Sequence, residues 1–288
     1  MLEAGAILRR NPALKLSRLM ETPEALGIIA GSGVYPLLLA DAARVAGVKR
    51  ITVAAFTDET SSDISNRADE IEWLRVGQLG KMLNFFRAAN LRHAIMAGQI
   101  APGNLFSLRP DFKAMFLLAR LKERNAESIF TAIADQLASI GIELLPATSF
   151  LDHLLAPRGQ IAGPKLKERE QHDIDFGFGI AKQLSALDVG QTIVVKNGTV
   201  LAVEAFEGTN EAIRRGGSLG KKNAIVIKVT KPAQDMRFDV PVIGRETLQV
   251  ASEAKIRAIA VEAGRTLLLE KAALIDLAEG AKISLLGR

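Results

Sequence analysis

Short apolar runs alternate with amphipathic stretches from residue 26 onward. A chain with that grammar builds parallel strands joined by crossover helices, which leaves an α/β sheet as the expected architecture. The runs LGIIA (26–30), ITVAAF (51–56), IEWL (71–74), HAIMA (93–97) and IELL (142–145) are the expected strands. Between them, PLLLADAARVAG, LGKMLNFFRAAN, DFKAMFLLARLKERN and ESIFTAIADQLASIG space apolar residues near three and four, as core-facing helices do. Each ends at Gly or Asn, where a left-handed cap costs little.

The segment 151–172, LDHLLAPRGQIAGPKLKEREQH, breaks this grammar with prolines, glycines and a dense charge cluster, and reads as an interdomain linker. A helix is then expected over 173–187, followed by TIVVKNGTVLAVEA, two β runs meeting at the hairpin signal Asn197-Gly198. Strands over 224–229, 257–261 and 282–286, with helices over 246–255 and 271–279, complete a mixed α/β domain over 173–288. Residues 1–25 carry Arg9, Arg10, Lys15 and Arg18 without a continuous apolar run, and read as an amphipathic extension rather than a signal peptide.

Composition narrows the function classes. Without cysteine there is no thiol nucleophile, thiolate metal site or disulfide, which suits a reducing cytoplasm. The three histidines, His93, His153 and His172, lack partners at ligand spacing. A formal charge of +5 is spread along the chain and only 5% of residues are aromatic, so nucleic acid is not an expected partner. No apolar stretch approaches the roughly 20 residues that cross a bilayer.

Three stretches carry candidate chemistry. LGIIAGSGVYP places Gly31, Ser32 and Gly33 between a strand and a helix, where backbone N–H groups face an anion. The dinucleotide fingerprint needs a third glycine at position 36, which is Pro, so a nicotinamide enzyme is disfavoured and a plain tight turn is an equal reading. VEAFEGTN ends a strand in Glu204, Glu207, Gly208, Thr209 and Asn210, oxygen donors suited to a hard cation or a phosphate, or simply to a solvated strand end. KPAQDMRFDVPVIG sets Lys231, Asp235, Arg237 and Asp239 in a loop, which is either phosphoryl-transfer equipment or a salt-bridged surface segment.

Taken together with VGQLGKMLNFF, AIMAGQIAP, LDVGQTIVVKNGTVLAVEAFEGT and KPAQDMRFDVPVIGRETL, in that order, the chain from Leu26 to its end resembles the LpxI family of UDP-2,3-diacylglucosamine pyrophosphatases. The resemblance implies a Rossmann-like N-terminal domain over 26–150 and a C-terminal catalytic α/β domain, with the active site in the interdomain cleft. It implies magnesium-dependent hydrolysis of UDP-2,3-diacylglucosamine to UMP and 2,3-diacylglucosamine 1-phosphate, lipid X, in lipid A biosynthesis. By motif it makes Asp239 the catalytic carboxylate, with Asp239 and Glu207 as metal ligands. Gln191, Thr209, Asn210, Lys231, Gln234 and Arg237 become substrate contacts, and Gly31, Ser32, Gly33, Ala97, Gly98 and Gln99 line the cleft from the other domain. The lipid substrate implies a cytoplasmic protein peripheral to the inner membrane, and a homodimer is allowed.

Two departures remove carboxylates from the family pattern. Asn125-Ala126-Glu127 stands where many relatives have Gly-Asp-Asp, and Thr209-Asn210 where many have Thr-Asp. A non-catalytic nucleotide-sugar or lipid-sugar binding protein is therefore the alternative expectation, ahead of a nucleotide-cofactor oxidoreductase.

Overall fold

The computed structural model describes residues 22–100, 110–123 and 125–288. The expected N-terminal extension up to residue 21 and the end of the AIMAGQIAP motif lie outside the described residues. The chain divides into two compact units, Met1–Phe150 and Leu151–Arg288.

In the first unit, β1 (Ala25–Ala30), β2 (Arg50–Phe56), β3 (Glu70–Leu74), β4 (His93–Ala97) and β5 (Glu143–Leu144) form a five-stranded sheet in the order β3-β2-β1-β4-β5. Every pairing is parallel, with Ile28 opposite Val53 on one side and Ile95 on the other. The sequence runs are apolar at nearly every position because β1, β2 and β4 are covered on both faces. The helices are α1 (Tyr35–Val45), α2 (Leu79–Ala88), α3 (Phe112–Arg120) and α4 (Ala126–Ala138). Helix α3 starts at an Asp111 cap, whose carboxylate accepts from Ala114 N at 2.9 Å, and it is shorter than the expected stretch 111–125. The strand order reverses between β1 and β4, which is where α/β sheets of this kind place ligands.

In the second unit, β6 (Gly159–Ala162), β7 (Thr192–Lys196), β8 (Thr199–Val203), β9 (Ile225–Lys228), β11 (Ala258–Val261) and β13 (Ser284–Gly287) form a sheet ordered β6-β13-β11-β9-β7-β8. Strands β9, β11 and β13 run parallel, whereas β6 and β7 are antiparallel to their neighbours. Alternate residues of the same strands enter two cores. Ile193, Val195, Ile225 and Ile227 pack with Ile174 and Ala181 of α5 (Glu168–Ala186), while Val194, Val226 and Ile259 face the opposite side. There they meet Ile213 of α6 (Thr209–Gly220), Leu248 of α7 (Arg245–Glu253) and Leu274 of α8 (Lys271–Ala281).

Three elements depart from the sequence reading. The 151–172 segment, expected as a linker, belongs to the second unit: Gly159–Ala162 pairs with β13, and α5 starts at Glu168 rather than 173. An edge strand needs only one hydrogen-bonded side, so it tolerates the polar, glycine-rich composition that hid it. Helix α6 was not expected because three glycines interrupt its period. They are there for close packing: a Cβ on Gly216 would lie 2.4 Å from Val194 Cβ, and one on Gly217 would lie 2.6 Å from Ala254 Cβ. The short parallel pair β10 (Val242–Ile243) and β12 (Leu267–Leu268) carries too few residues to show a period. The Asn197-Gly198 hairpin forms as expected, both residues having positive φ, 51° and 70°, as a two-residue type I′ turn demands.

Candidate active site

The polar residues of the second unit gather where β8 and β9 end and β7 begins. Glu204 follows β8, and the chain turns through Gly208, at φ 84°, into α6 at Thr209. The Thr209 hydroxyl donates to Glu204 Oε1 at 2.8 Å and lies 3.4 Å from Thr192 Oγ1. It accepts from Lys228 Nζ at 3.0 Å, and the same ammonium donates to Val242 O at 3.3 Å. Burial pushes the Lys228 ammonium below the ordinary lysine value, while the nearby carboxylates of Glu204 and Asp239 pull it back up.

The loop after β9 carries the RFDVP motif and is held by its own side chains. Gln234 is buried, and both ends of its amide bind backbone: Oε1 accepts from Lys231 N at 2.6 Å and Nε2 donates to Asp239 O at 2.7 Å. Asp239 N donates to Asp235 O at 3.0 Å. Gln191 reaches across from the start of β7, its Nε2 lying 3.4 Å from Asp239 Oδ2. Asp239 is thus fixed through its main chain and met by the Gln191 amide, and the residue is partly exposed. That is the arrangement expected of a group that meets a ligand.

The other expected contacts are placed less simply. Arg237 forms a two-pronged pair with Asp235, Nε to Oδ1 at 3.0 Å and Nη2 to Oδ2 at 2.6 Å, which holds the Asp235 carboxyl below its usual range. Lys231 pairs with Asp188. Both cations of the expected phosphate clamp have carboxylate partners, so gripping a phosphate means exchanging them. Gln234 braces the loop with both ends of its amide. Asn210 Oδ1 accepts from Thr247 Oγ1 at 3.3 Å, which ties α6 to α7. Glu207 is exposed and turned to Arg215, with Oε2 accepting from Ala205 N at 3.1 Å.

In the first unit, Gly31, Ser32 and Gly33 leave β1, and Gly98 and Gln99 follow Ala97 at the end of β4. These two turns bind each other. Gly31 N donates to Ala97 O at 2.8 Å, Ser32 N to Gln99 O at 2.7 Å, Gln99 N to Ser32 O at 3.3 Å, and the Ser32 hydroxyl to Gln99 O at 2.9 Å. A Cβ on Gly31 would lie 2.4 Å from Gln99 O. Its missing side chain therefore serves a backbone neighbour, and of the two readings of this turn the structural one accounts for Gly31. Gly33, at φ 86°, faces open space, so its requirement is conformational.

Lys228 and Thr192 were not among the expected site residues. The signal for Lys228 was present, since it is the single charge in the apolar run AIVIKV (224–229). Among the described residues no three acidic or histidine side chains cluster as a ready-made metal cage. Magnesium does not need one. It is commonly held by one or two carboxylates together with substrate phosphates and water, so the hard-oxygen carboxylate of Asp239 fits such a shared site. Glu207, the other expected metal ligand, is engaged by Arg215 and Ala205 N.

Comparison with known proteins bears on both units. Residues 25–154 match the model of the LpxI N-terminal domain, and residues 157–286 match that of the LpxI C-terminal domain. The chain belongs to the LpxI family. It is similar to the UDP-2,3-diacylglucosamine pyrophosphatase LpxI of Caulobacter vibrioides, at 30% identity over 275 residues, covering 91% of this chain and 96% of that protein. The two LpxI domains meet within a few residues of the boundary between the two structural units, and the Asp239 loop and the Lys228 cluster both lie in the C-terminal LpxI domain.

Proposed function

We propose that this LpxI-family chain is a hydrolase that cleaves the pyrophosphate bond of UDP-2,3-diacylglucosamine to UMP and lipid X in lipid A biosynthesis. The observation that supports the reading is the placement of Asp239: a carboxylate on a loop braced by Gln234 and faced by Gln191, acting on Lys228, which in turn bonds Thr209. Asp239 orients the attacking water and takes its proton, general-base work that contributes about 10²–10⁴-fold. Attack falls on the sugar-side phosphorus, which makes UMP the leaving group. Lys231 and Arg237 exchange Asp188 and Asp235 for phosphate oxygens, each well-placed donor contributing on the order of 3 kcal/mol in the transition state. Magnesium held by Asp239 and the phosphate oxygens would supply further neutralisation of phosphoryl charge.

The substrate carries two acyl chains, so the protein works at a membrane surface. Among the described residues no helix is long and apolar enough to cross a membrane. The apolar stripe of α3 suits peripheral contact: Phe112, Met115 and Phe116 are 88%, 51% and 60% exposed. Lys113, Arg120 and Lys122 beside them favour anionic headgroups.

The deciding experiment is UMP release from UDP-2,3-diacylglucosamine, with magnesium and with a chelator, by the wild type and Asp239→Ala. The expected result is magnesium-dependent UMP release that falls about 10²–10⁴-fold in the variant. Near-wild-type turnover in Asp239→Ala removes the residue assignment, and substrate binding without UMP release by the wild type favours the binding-protein reading.

A further inference from the structure

Lys228 ends a strand whose preceding residues are fully buried, and a charge in such a place persists only with partners. Its partners belong to two different segments. Thr209 Oγ1, at 3.0 Å, is the first residue of α6, and Val242 O, at 3.3 Å, opens the strand that follows the Asp239 loop. Glu204, bonded to the same Thr209 hydroxyl at 2.8 Å, and Asp239 both attract the ammonium.

The charge balance makes this contact more than a brace. Glu204 and Asp239 act on the same ammonium, so two negative charges stand around a place that, on the hydrolase reading, admits a diphosphate, and the ammonium offsets them. The other cations of this loop, Lys231 and Arg237, also serve Asp188 and Asp235.

We propose that Lys228 is a positioning residue for pyrophosphate hydrolysis: its ammonium ties the Thr209 turn to the strand behind the Asp239 loop and offsets one of the two carboxylates facing the substrate. This rests on the hydrolase reading above. Lys228 acts through Asp239 and Thr209, so its loss impairs the chemical step more than substrate capture.

The test measures UMP release across substrate concentrations for the wild type, Lys228→Met, Lys228→Gln and Lys228→Arg, with thermal unfolding of each protein. Gln retains a side-chain donor for Thr209 and Val242 without the charge, so it separates lost charge from lost fold if the Met variant does not fold. Met and Gln are expected to lower kcat about 100-fold with KM changed less than about threefold, and Arg to stay within about tenfold of wild type. Wild-type kcat in Lys228→Gln overturns the proposal, as does a rise in KM at unchanged kcat. A loss of activity that only follows loss of Tm and is not restored by Arg assigns Lys228 to the fold and overturns it too. No UMP from the wild type overturns the hydrolase reading, and this inference falls with it.

Discussion

Asp173 on α5 accepts the Gly198 amide hydrogen at 2.7 Å, closing the tip of the β7–β8 hairpin onto the helix. The other carboxylate oxygen accepts from Asn197 N at 2.8 Å, and Asp173 is only 4% exposed. Hydrogen bonds to a buried charge contribute more than neutral ones, and removing the acceptor strands two amides. Asp173→Ala is expected to destabilise the protein by about 2–4 kcal/mol, read from urea unfolding. A change below about 0.5 kcal/mol, the scale of ordinary surface substitutions, would show that water replaces the carboxylate.

Gly31 and Gly33 separate two reasons for glycine in one turn. Ala at 31 drives a Cβ into the Gln99 carbonyl, whereas Ala at 33 meets open space and only the cost of a positive φ. Gly31→Ala is expected to lose about 1–3 kcal/mol through overpacking. Gly33→Ala should lose about 1–2 kcal/mol from the left-handed backbone. Denaturation midpoints of the two variants give the comparison, and an unchanged midpoint in Gly31→Ala would contradict the steric reading.

Glu262 gives a pH signature. Its carboxylate accepts from Thr230 N at 2.9 Å, Thr230 Oγ1 at 2.7 Å and Lys182 Nζ at 3.0 Å. Burial alone would raise its pKa, but these donors prevail and hold it below the usual glutamate value. A depressed folded pKa contributes stability that is full above the unfolded value, about 4.3, and is lost as pH falls through the lower folded one. Glu262→Gln should therefore be less stable than wild type at pH near 7, by roughly 1.5–3 kcal/mol, with the gap narrowing below about pH 4. A gap of equal size at both ends of the range would rule out this linkage.

Helix α3 offers a test of the membrane proposal. The double variant Phe112→Ser, Phe116→Ser exchanges two exposed rings for hydroxyls at positions that carry little of the core. Co-sedimentation with phosphatidylglycerol vesicles is expected to fall about tenfold, and to be weakened by salt in the wild type. Binding that is equal for both proteins would place the membrane contact elsewhere.

Much of the architecture was legible because apolar runs and helical spacing report burial directly. The five parallel strands and the Asn197-Gly198 hairpin follow from residue type and period. Helix α6 did not, since Gly216 and Gly217 are placed for close approach to Val194 and Ala254, and no local pattern encodes those neighbours. The candidate site shows the same division. Asp239 stands in a long motif that the sequence displays, but the pairing of Lys231 with Asp188 joins segments far apart in sequence. Lys228 was visible as an isolated charge, yet its meaning depended on Thr209 and Val242 arriving beside it.

The reciprocal bonds between Ser32 and Gln99 couple two turns that lie far apart along the chain. Two of these three bonds join main-chain atoms, so the pair of turns depends less on particular side chains than on room for the two backbones to approach, which Gly31 supplies.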